Sequence, residues 1–174
     1  MMKNKATHIL TKIAVNIGRL LMAITFIFSG FVKGIDPLGT QYKITDYLEA
    51  LHIEWMFPTW STLLMSIVLA MCEFAIGIFL LLAIRRKLVS KIALLVMSVM
   101  TLITLWIVIA DPVKDCGCFG DAIVLTNMET FVKNLILLAI AILLWKKPME
   151  MPQLVSKPTQ WIAINYTFLF SIVM

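Results

Sequence analysis

The stretch Ile92–Ala110, IALLVMSVMTLITLWIVIA, contains 19 consecutive uncharged residues and decides the class of fold. As a helix it would be about 28 Å long, close to the roughly 30 Å hydrocarbon thickness of a bilayer. The whole chain has the same character, since 61% of its residues are hydrophobic, 14% are charged and its mean hydropathy is +0.95. Soluble domains average about a quarter charged residues. The sequence therefore predicts an all-α integral membrane protein.

Three further apolar stretches are long enough to span a bilayer, and together they predict a four-helix transmembrane bundle. They run from about Ile13 to Val32, from Trp60 to Ile84, and from Thr126 to Trp145. The last of them begins with a capping box. Between the first two lies Thr40–Trp55, in which apolar residues recur at helical spacing among charged ones. This pattern predicts an amphipathic helix at the membrane interface.

The chain after residue 147 differs in composition from the four predicted spans. Residues 148–174 begin with a polar, proline-containing segment and end in the apolar run Trp161–Met174. We interpret residues 1–147 as a four-helix membrane domain, and residues 148–174 as a linker followed by a fifth transmembrane helix. That helix either ends the chain or begins a longer C-terminal part.

The placement of lysine and arginine predicts the orientation of the bundle. The net charge is +5, but the basic residues cluster at the ends of apolar runs, which indicates membrane orientation rather than nucleic-acid binding. The N-terminal lysines, Arg85–Lys91 and Lys146–Lys157 share one side if the helices alternate, and the positive-inside rule makes that side cytoplasmic. Lys33–Pro58 and the loop with Cys116 and Cys118 then face the periplasm of a bacterial inner membrane, where disulfides persist.

The segment Asp115–Asp121, DCGCFGD, gathers thiols, carboxylates and glycines in one loop. A disulfide needs Cα atoms about 4.4–6.8 Å apart, so Cys116 and Cys118 can bridge only across a tight turn, which Gly117 permits. A zinc site needs about four nitrogen or sulfur ligands, which this sequence does not offer nearby, so we expect no metal. We favour an exchanging redox pair over a structural bridge, because so small a loop stabilises little as a cross-link and strained bridges exchange readily.

Two ionisable residues, Arg19 and Glu73, lie within predicted spans, where such residues are costly and often functional. Counted from the cytoplasmic ends of their helices, the two lie at similar depth, so we expect an intramembrane ion pair. The simplest role of this ion pair is to hold the two helices together. The functional alternative is a proton relay or a quinone site. Cys72, next to Glu73, is interpreted as a small hydrophobic residue that lies too deep to reach the loop thiols.

Several further charged residues fall on the predicted outer face. Charges at helix ends are ordinarily solvated or snorkel towards the interface. Lys33 and Asp36 are the exceptions that merit a test, because they lie where the first helix must end beside the cysteine loop. The set comprises Lys33, Asp36, Asp111, Lys114, Asp115, Asp121 and Lys133.

These residues resemble two families of redox-associated bacterial membrane proteins, the DoxX-like and the MauE-like proteins. The resemblance rests on Arg19, Phe28–Lys33, Asp36–Thr40, Lys43–Leu48, Glu73, Cys116–Asp121 and Phe131–Asn134. It implies a four-helix membrane core, a link to periplasmic thiol or disulfide chemistry, and a thioredoxin-like partner. It also marks supporting residues around the cysteine pair, namely Lys33, Asp36, Asp121, Lys133 and Asn134.

We therefore expect a membrane-embedded thiol–disulfide redox protein. The thiolate of either Cys116 or Cys118 would attack a mixed disulfide with a periplasmic thioredoxin-like protein, and the other would resolve it. Electrons then need a second acceptor, for which a membrane quinone near Arg19 and Glu73 is the candidate cofactor. The alternative is a non-catalytic membrane scaffold or assembly subunit in which the bridge only shapes the loop. The sequence leaves open whether the protein is an enzyme, which way electrons flow and what its oligomeric state is.

Overall fold

The computed structural model describes residues 2–111, 117–123, 125–152 and 154–173, and these are built mostly of helices. The elements are α1 (Met2–Ile35), α2 (Pro37–Ala50), α3 (Thr59–Leu81), α4 (Arg86–Ala110), β1 (Cys118–Asp121), α5 (Asn127–Lys146) and α6 (Lys157–Val173), with short 3₁₀ turns at Glu54–Met56 and Pro148–Glu150. Four described helices are long and apolar enough to cross a membrane: α1 from His8 onward, α3, α4 and α5. The predicted all-α membrane bundle is confirmed.

The helices begin earlier than the apolar runs suggested. α1 begins at Met2 rather than near Ile13, and α4 begins at Arg86 rather than Ile92. Lysine and arginine are good helix formers, so charge limits the lipid-spanning part of a helix without ending the helix. The predicted capping box of α5 is present, because the Thr126 hydroxyl accepts from the Glu129 amide at 3.3 Å and the Glu129 carboxylate accepts from the Thr126 amide at 2.9 Å.

The predicted amphipathic helix is α2, and it packs across the start of α3. Asp36 forms its N-cap, with its carboxylate accepting from the Gly39 amide at 2.9 Å. The buried Gln41 side chain donates to the Thr59 carbonyl at 3.0 Å, and the Ser66 hydroxyl donates to the Pro37 carbonyl at 2.6 Å. These bonds fix α2 against α3 at the end of the bundle where β1 also lies, which we call the β1 end.

α1 and α3 form the central antiparallel pair, and two glycines set their distance. A Cβ atom on Gly77 would lie 2.6 Å from the backbone nitrogen of Ile27, and one on Gly30 would overlap the backbone of Phe74. Small residues let helix backbones approach closely within a membrane. The hydrophobic core spreads from this pair to α4 and α5, with Met22, Leu80, Ala93, Ala141 and Leu144 almost completely buried.

α6 lies antiparallel along α3. Trp161 near its start stacks under the Arg85 guanidinium at 5.3 Å, and Phe170 near its end stacks on Phe74 at 5.5 Å. α6 has 17 residues, about 26 Å of helix, and is not among the four candidate spans. The segment after residue 156 is thus helical as expected, and its crossing of the membrane stays a prediction.

Candidate functional site

Arg19 and Glu73 are not paired with each other, so the predicted ion pair was wrong. Arg19 lies level with the end of α3, where its Nη1 donates to the carbonyl oxygens of Leu80 at 3.2 Å and Leu81 at 2.8 Å. Carbonyls in the last turn of a helix lack helical partners and favour a cation. The residue of α1 level with Glu73 is Ser29, ten residues or about 15 Å farther along the helix. The depth count failed because α1 begins at Met2, well before its apolar run, and so extends farther towards the end of the bundle opposite β1.

The partner of Glu73 is Lys33. Its Nζ lies 2.7 Å from each carboxylate oxygen of Glu73 and donates to the Ser29 hydroxyl at 3.1 Å. The two charged side chains are only 4% and 6% exposed. Lys33 therefore neither snorkels nor is solvated, and we call Ser29, Lys33 and Glu73 the buried polar cluster.

The buried polar cluster is bonded to the strand that carries the second cysteine. The Ser29 Oγ lies 2.7 Å from Glu73 Oε2 and 2.6 Å from the backbone carbonyl oxygen of Cys118. A serine hydroxyl has a single proton to donate, whereas an ionised carboxylate and a carbonyl only accept. The Ser29 hydroxyl therefore donates to one of these two oxygens at a time.

Gly117, which the sequence predicts to permit a tight turn, lies directly before β1. Gly117 has φ +60°, the left-handed region that glycine adopts without strain, and a Cβ there would lie 2.8 Å from Cγ of Lys43. Phe119 in β1 is held on two sides, by an edge-to-face contact with Phe28 at 5.5 Å and by the Lys133 ammonium 4.0 Å from its ring centre. Cys116 and the side chain of Asp121 lie outside the described part of the structure.

The remaining predicted supporting residues divide into two kinds. Asn134 is buried, and its Nδ2 donates to the Thr104 hydroxyl at 3.3 Å, which ties α5 to α4. Asp36 is exposed and caps α2, so its contacts explain helix formation rather than chemistry. The site residues brought together are therefore Lys33, Glu73, Cys118, Lys133 and Asn134, with Ser29 added by the structure.

A cavity of about 690 Å³ adjoins the buried polar cluster and was not foreseen from the sequence. α3 and α4 form much of its wall, through apolar residues such as Val68 and Val99. These two are 49% and 47% exposed, so the cavity opens sideways between the two helices. A gap between helices depends on how they pack, and no local sequence pattern announces it.

The polar side chains that line the cavity lie towards the β1 end. They include Ser29, Lys33, Glu73, Cys118, Lys133 and Asn134. Cys72 also lines the cavity and is exposed. This places it on the face of α3 beside the gap to α4, and its role as a small hydrophobic residue stays a prediction.

Comparisons with known proteins bear on this arrangement. Neither the curated proteins nor the solved structures gave a match. The family model described as methylamine utilisation protein MauE matches residues 11–147. This range runs through α1 to the end of α5 and contains the buried polar cluster, β1 and every cavity-lining residue. The DoxX-like resemblance stays a prediction, whereas the MauE match covers well over half of the sequence, and the chain therefore belongs to the MauE family.

Proposed function

We propose that this protein exchanges disulfides with a thioredoxin-like protein through Cys116 and Cys118, on the periplasmic side of a bacterial inner membrane. The observation that carries the proposal is Gly117 at φ +60° between the two cysteines, with the following strand bonded to a buried polar cluster. A left-handed residue turns the chain, which favours the short approach that a bridge across one residue requires. The chain belongs to a family whose model is described as methylamine utilisation protein MauE, and this description is compatible with disulfide exchange.

Support from the bundle distinguishes β1 from an ordinary surface loop. Ser29 holds the Cys118 carbonyl at 2.6 Å, and Phe28 and Lys133 hold the neighbouring Phe119 ring. A reactive group is best held by a rigid scaffold, because a loose site loses its productive geometry. The contacts thus hold Cys118 in one position relative to the membrane helices.

The exchange reaction needs only the two thiols and the partner's disulfide or dithiol. The thiolate of one cysteine attacks a sulfur of the partner's bridge, a mixed disulfide forms, and the second cysteine displaces the partner as a dithiol. The same steps run in reverse when the partner arrives reduced. The proposal holds for either direction of electron flow.

The competing proposal is a scaffold in which the bridge only shapes the loop. It is favoured by one observation, that Ser29 contacts the backbone of Cys118 rather than its sulfur. The two proposals differ in the reduction potential that they require. A bridge that exchanges must be reducible within the range of thiol–disulfide enzymes, and a structural bridge must resist that range.

The test is the midpoint potential of the Cys116/Cys118 couple in the detergent-solubilised protein. Thiols are alkylated across a glutathione redox series and counted by mass spectrometry, with Cys72 as an internal thiol that should be alkylated throughout. We expect a midpoint between about −120 and −270 mV. A bridge that stays closed below about −300 mV would move the conclusion to the scaffold. An exchanging pair would next be trapped with its partner in the Cys116→Ser and Cys118→Ser variants.

A further inference from the structure

The cavity between α3 and α4 has the properties of a ligand site rather than of a packing gap. Its volume of about 690 Å³ falls within the roughly 300–1,000 Å³ of small-molecule pockets, which are mostly apolar with a few polar groups. Its side opening lies between two helices that are candidate membrane spans. A ligand would therefore enter from the hydrocarbon region, so most of the molecule must be apolar.

The polar end of the cavity selects the kind of head that such a ligand carries. The three N–H groups of Lys33 already donate to Ser29 and Glu73. Asn134, Lys43 and Lys133 also line the cavity and carry N–H groups. Carbonyl oxygens on a ligand head would accept from such groups, and the rest of the lining is largely apolar.

The cavity also shares its wall with the cysteine strand. Cys118 lines the cavity, and its carbonyl is bonded to Ser29, which in turn contacts Glu73. An apolar membrane molecule with two carbonyl acceptors and the capacity to take up two electrons is an isoprenoid quinone. Its ring at the polar end would lie beside β1, and its isoprenoid tail would leave through the opening between α3 and α4.

We propose that this cavity binds the ring of an isoprenoid quinone, which oxidises the reduced Cys116/Cys118 pair. This inference rests on the proposed function, and it gives that function a direction, towards disulfide formation in the partner. Two S–H bonds break and one S–S bond forms, which releases two electrons and two protons. The quinone takes up both electrons and both protons, forms two O–H bonds and leaves as the quinol.

Two residues of the buried polar cluster connect the cysteine strand to the cavity. Ser29 lies within hydrogen-bonding distance of both Glu73 and the Cys118 strand, and Glu73 faces the cavity. Ser29 and Glu73 therefore act as positioning residues that hold the strand beside the quinone ring. Arg19 has no part in this site, since it is bonded to the last carbonyls of α3 at the opposite end.

The binding experiment uses the whole protein in detergent and decylubiquinone as the probe. Ile103 lines the cavity and is 37% exposed, whereas Leu105 on the same helix is 39% exposed and does not line it. We expect Ile103→Trp to weaken binding, measured by isothermal titration, at least tenfold, and Leu105→Trp to leave it unchanged. Met65→Trp and Ile67→Trp form a second matched pair on α3, at 43% and 40% exposure, if either α4 variant fails to fold.

The redox experiment mixes the reduced protein with decylubiquinone. We expect one quinol for each Cys116–Cys118 bridge formed, by quinone absorbance and thiol counting. The Cys116→Ser/Cys118→Ser variant should reduce no decylubiquinone. Equal binding by the two tryptophan variants, or a native phospholipid that decylubiquinone does not displace, would overturn the quinone site.

The two proposals fail in different ways. A pair that exchanges with a thioredoxin-like protein while the probe does not bind would overturn the quinone inference and leave the proposed function standing. A probe that binds while the bridge resists reduction would overturn the proposed function, and with it the electron transfer proposed here.

Discussion

At the scale of single residues, burial of the Lys33–Glu73 pair carries a large desolvation cost. Removing a carboxylate and an ammonium from water costs several kcal/mol for each ion, and only close contacts between them compensate. Here the ammonium lies 2.7 Å from both carboxylate oxygens and a hydroxyl completes the set. A pair of well-packed apolar residues would serve stability equally well. Its presence next to the cavity and the cysteine strand therefore favours a role in chemistry.

The cost of the pair leads to a prediction for its two members. In Glu73→Gln the Lys33 ammonium stays buried without a counter-charge, so we expect a loss of about 3–5 kcal/mol in the free energy of unfolding. The double variant Lys33→Met/Glu73→Gln removes both charges and should recover most of that loss. Unfolding in detergent, followed by circular dichroism, measures both.

Glu54→Gln is the matched control, because Glu54 is exposed in the 3₁₀ turn after α2 and should change stability by less than about 0.5 kcal/mol. If Glu73→Gln were as stable as this control, the two side chains would not form a buried ion pair.

At the scale of elements, features set by local sequence were predictable and features set by packing were not. The capping box of α5 and the left-handed turn at Gly117 depend on a few neighbouring residues, and both were anticipated. Glu73 stood out as an acid within an apolar run. Its partner did not, because which residue faces it depends on how α1 is aligned against α3 across 40 residues of chain.

The close contact between α1 and α3 gives the prediction at this scale. A methyl group on Gly77 would meet the backbone of Ile27 at 2.6 Å, and a backbone cannot move aside without separating the helices. We expect Gly77→Ala to lower the free energy of unfolding by about 1–3 kcal/mol, the usual cost of overpacking. Because the same contact aligns Lys33 with Glu73, the variant should also bind decylubiquinone more weakly.

Gly18→Ala is the control for this substitution. Its added methyl group would meet the Cγ2 methyl of Ile140 at 2.9 Å and no backbone atom among its nearest neighbours, so the two helix backbones need not separate. Equal stability of the two alanine variants would show that α1 and α3 do not depend on the close approach at Gly77.

At the scale of the whole molecule, composition alone predicted the membrane bundle, and the distribution of charge predicts its orientation. Lysines and arginines mark the end of the bundle that includes Arg85, Arg86 and Lys146, and the β1 end holds the cysteine loop. Both proposals need the β1 end to face the periplasm, because a thiol pair on the cytoplasmic side would be kept reduced. Orientation is therefore the property on which the cysteine chemistry depends.

Two methionines at opposite ends allow orientation to be measured with one kind of substitution. Met56 in the turn after α2 is 57% exposed, and Met149 in the turn after α5 is 64% exposed. In a background without the three native cysteines, Met56→Cys should react with a membrane-impermeant maleimide added to intact cells. Met149→Cys should react only after the membrane is permeabilised. The reverse pattern would place Cys116 and Cys118 in the reducing cytoplasm, where a persistent disulfide is not expected and exchange with a periplasmic partner is impossible.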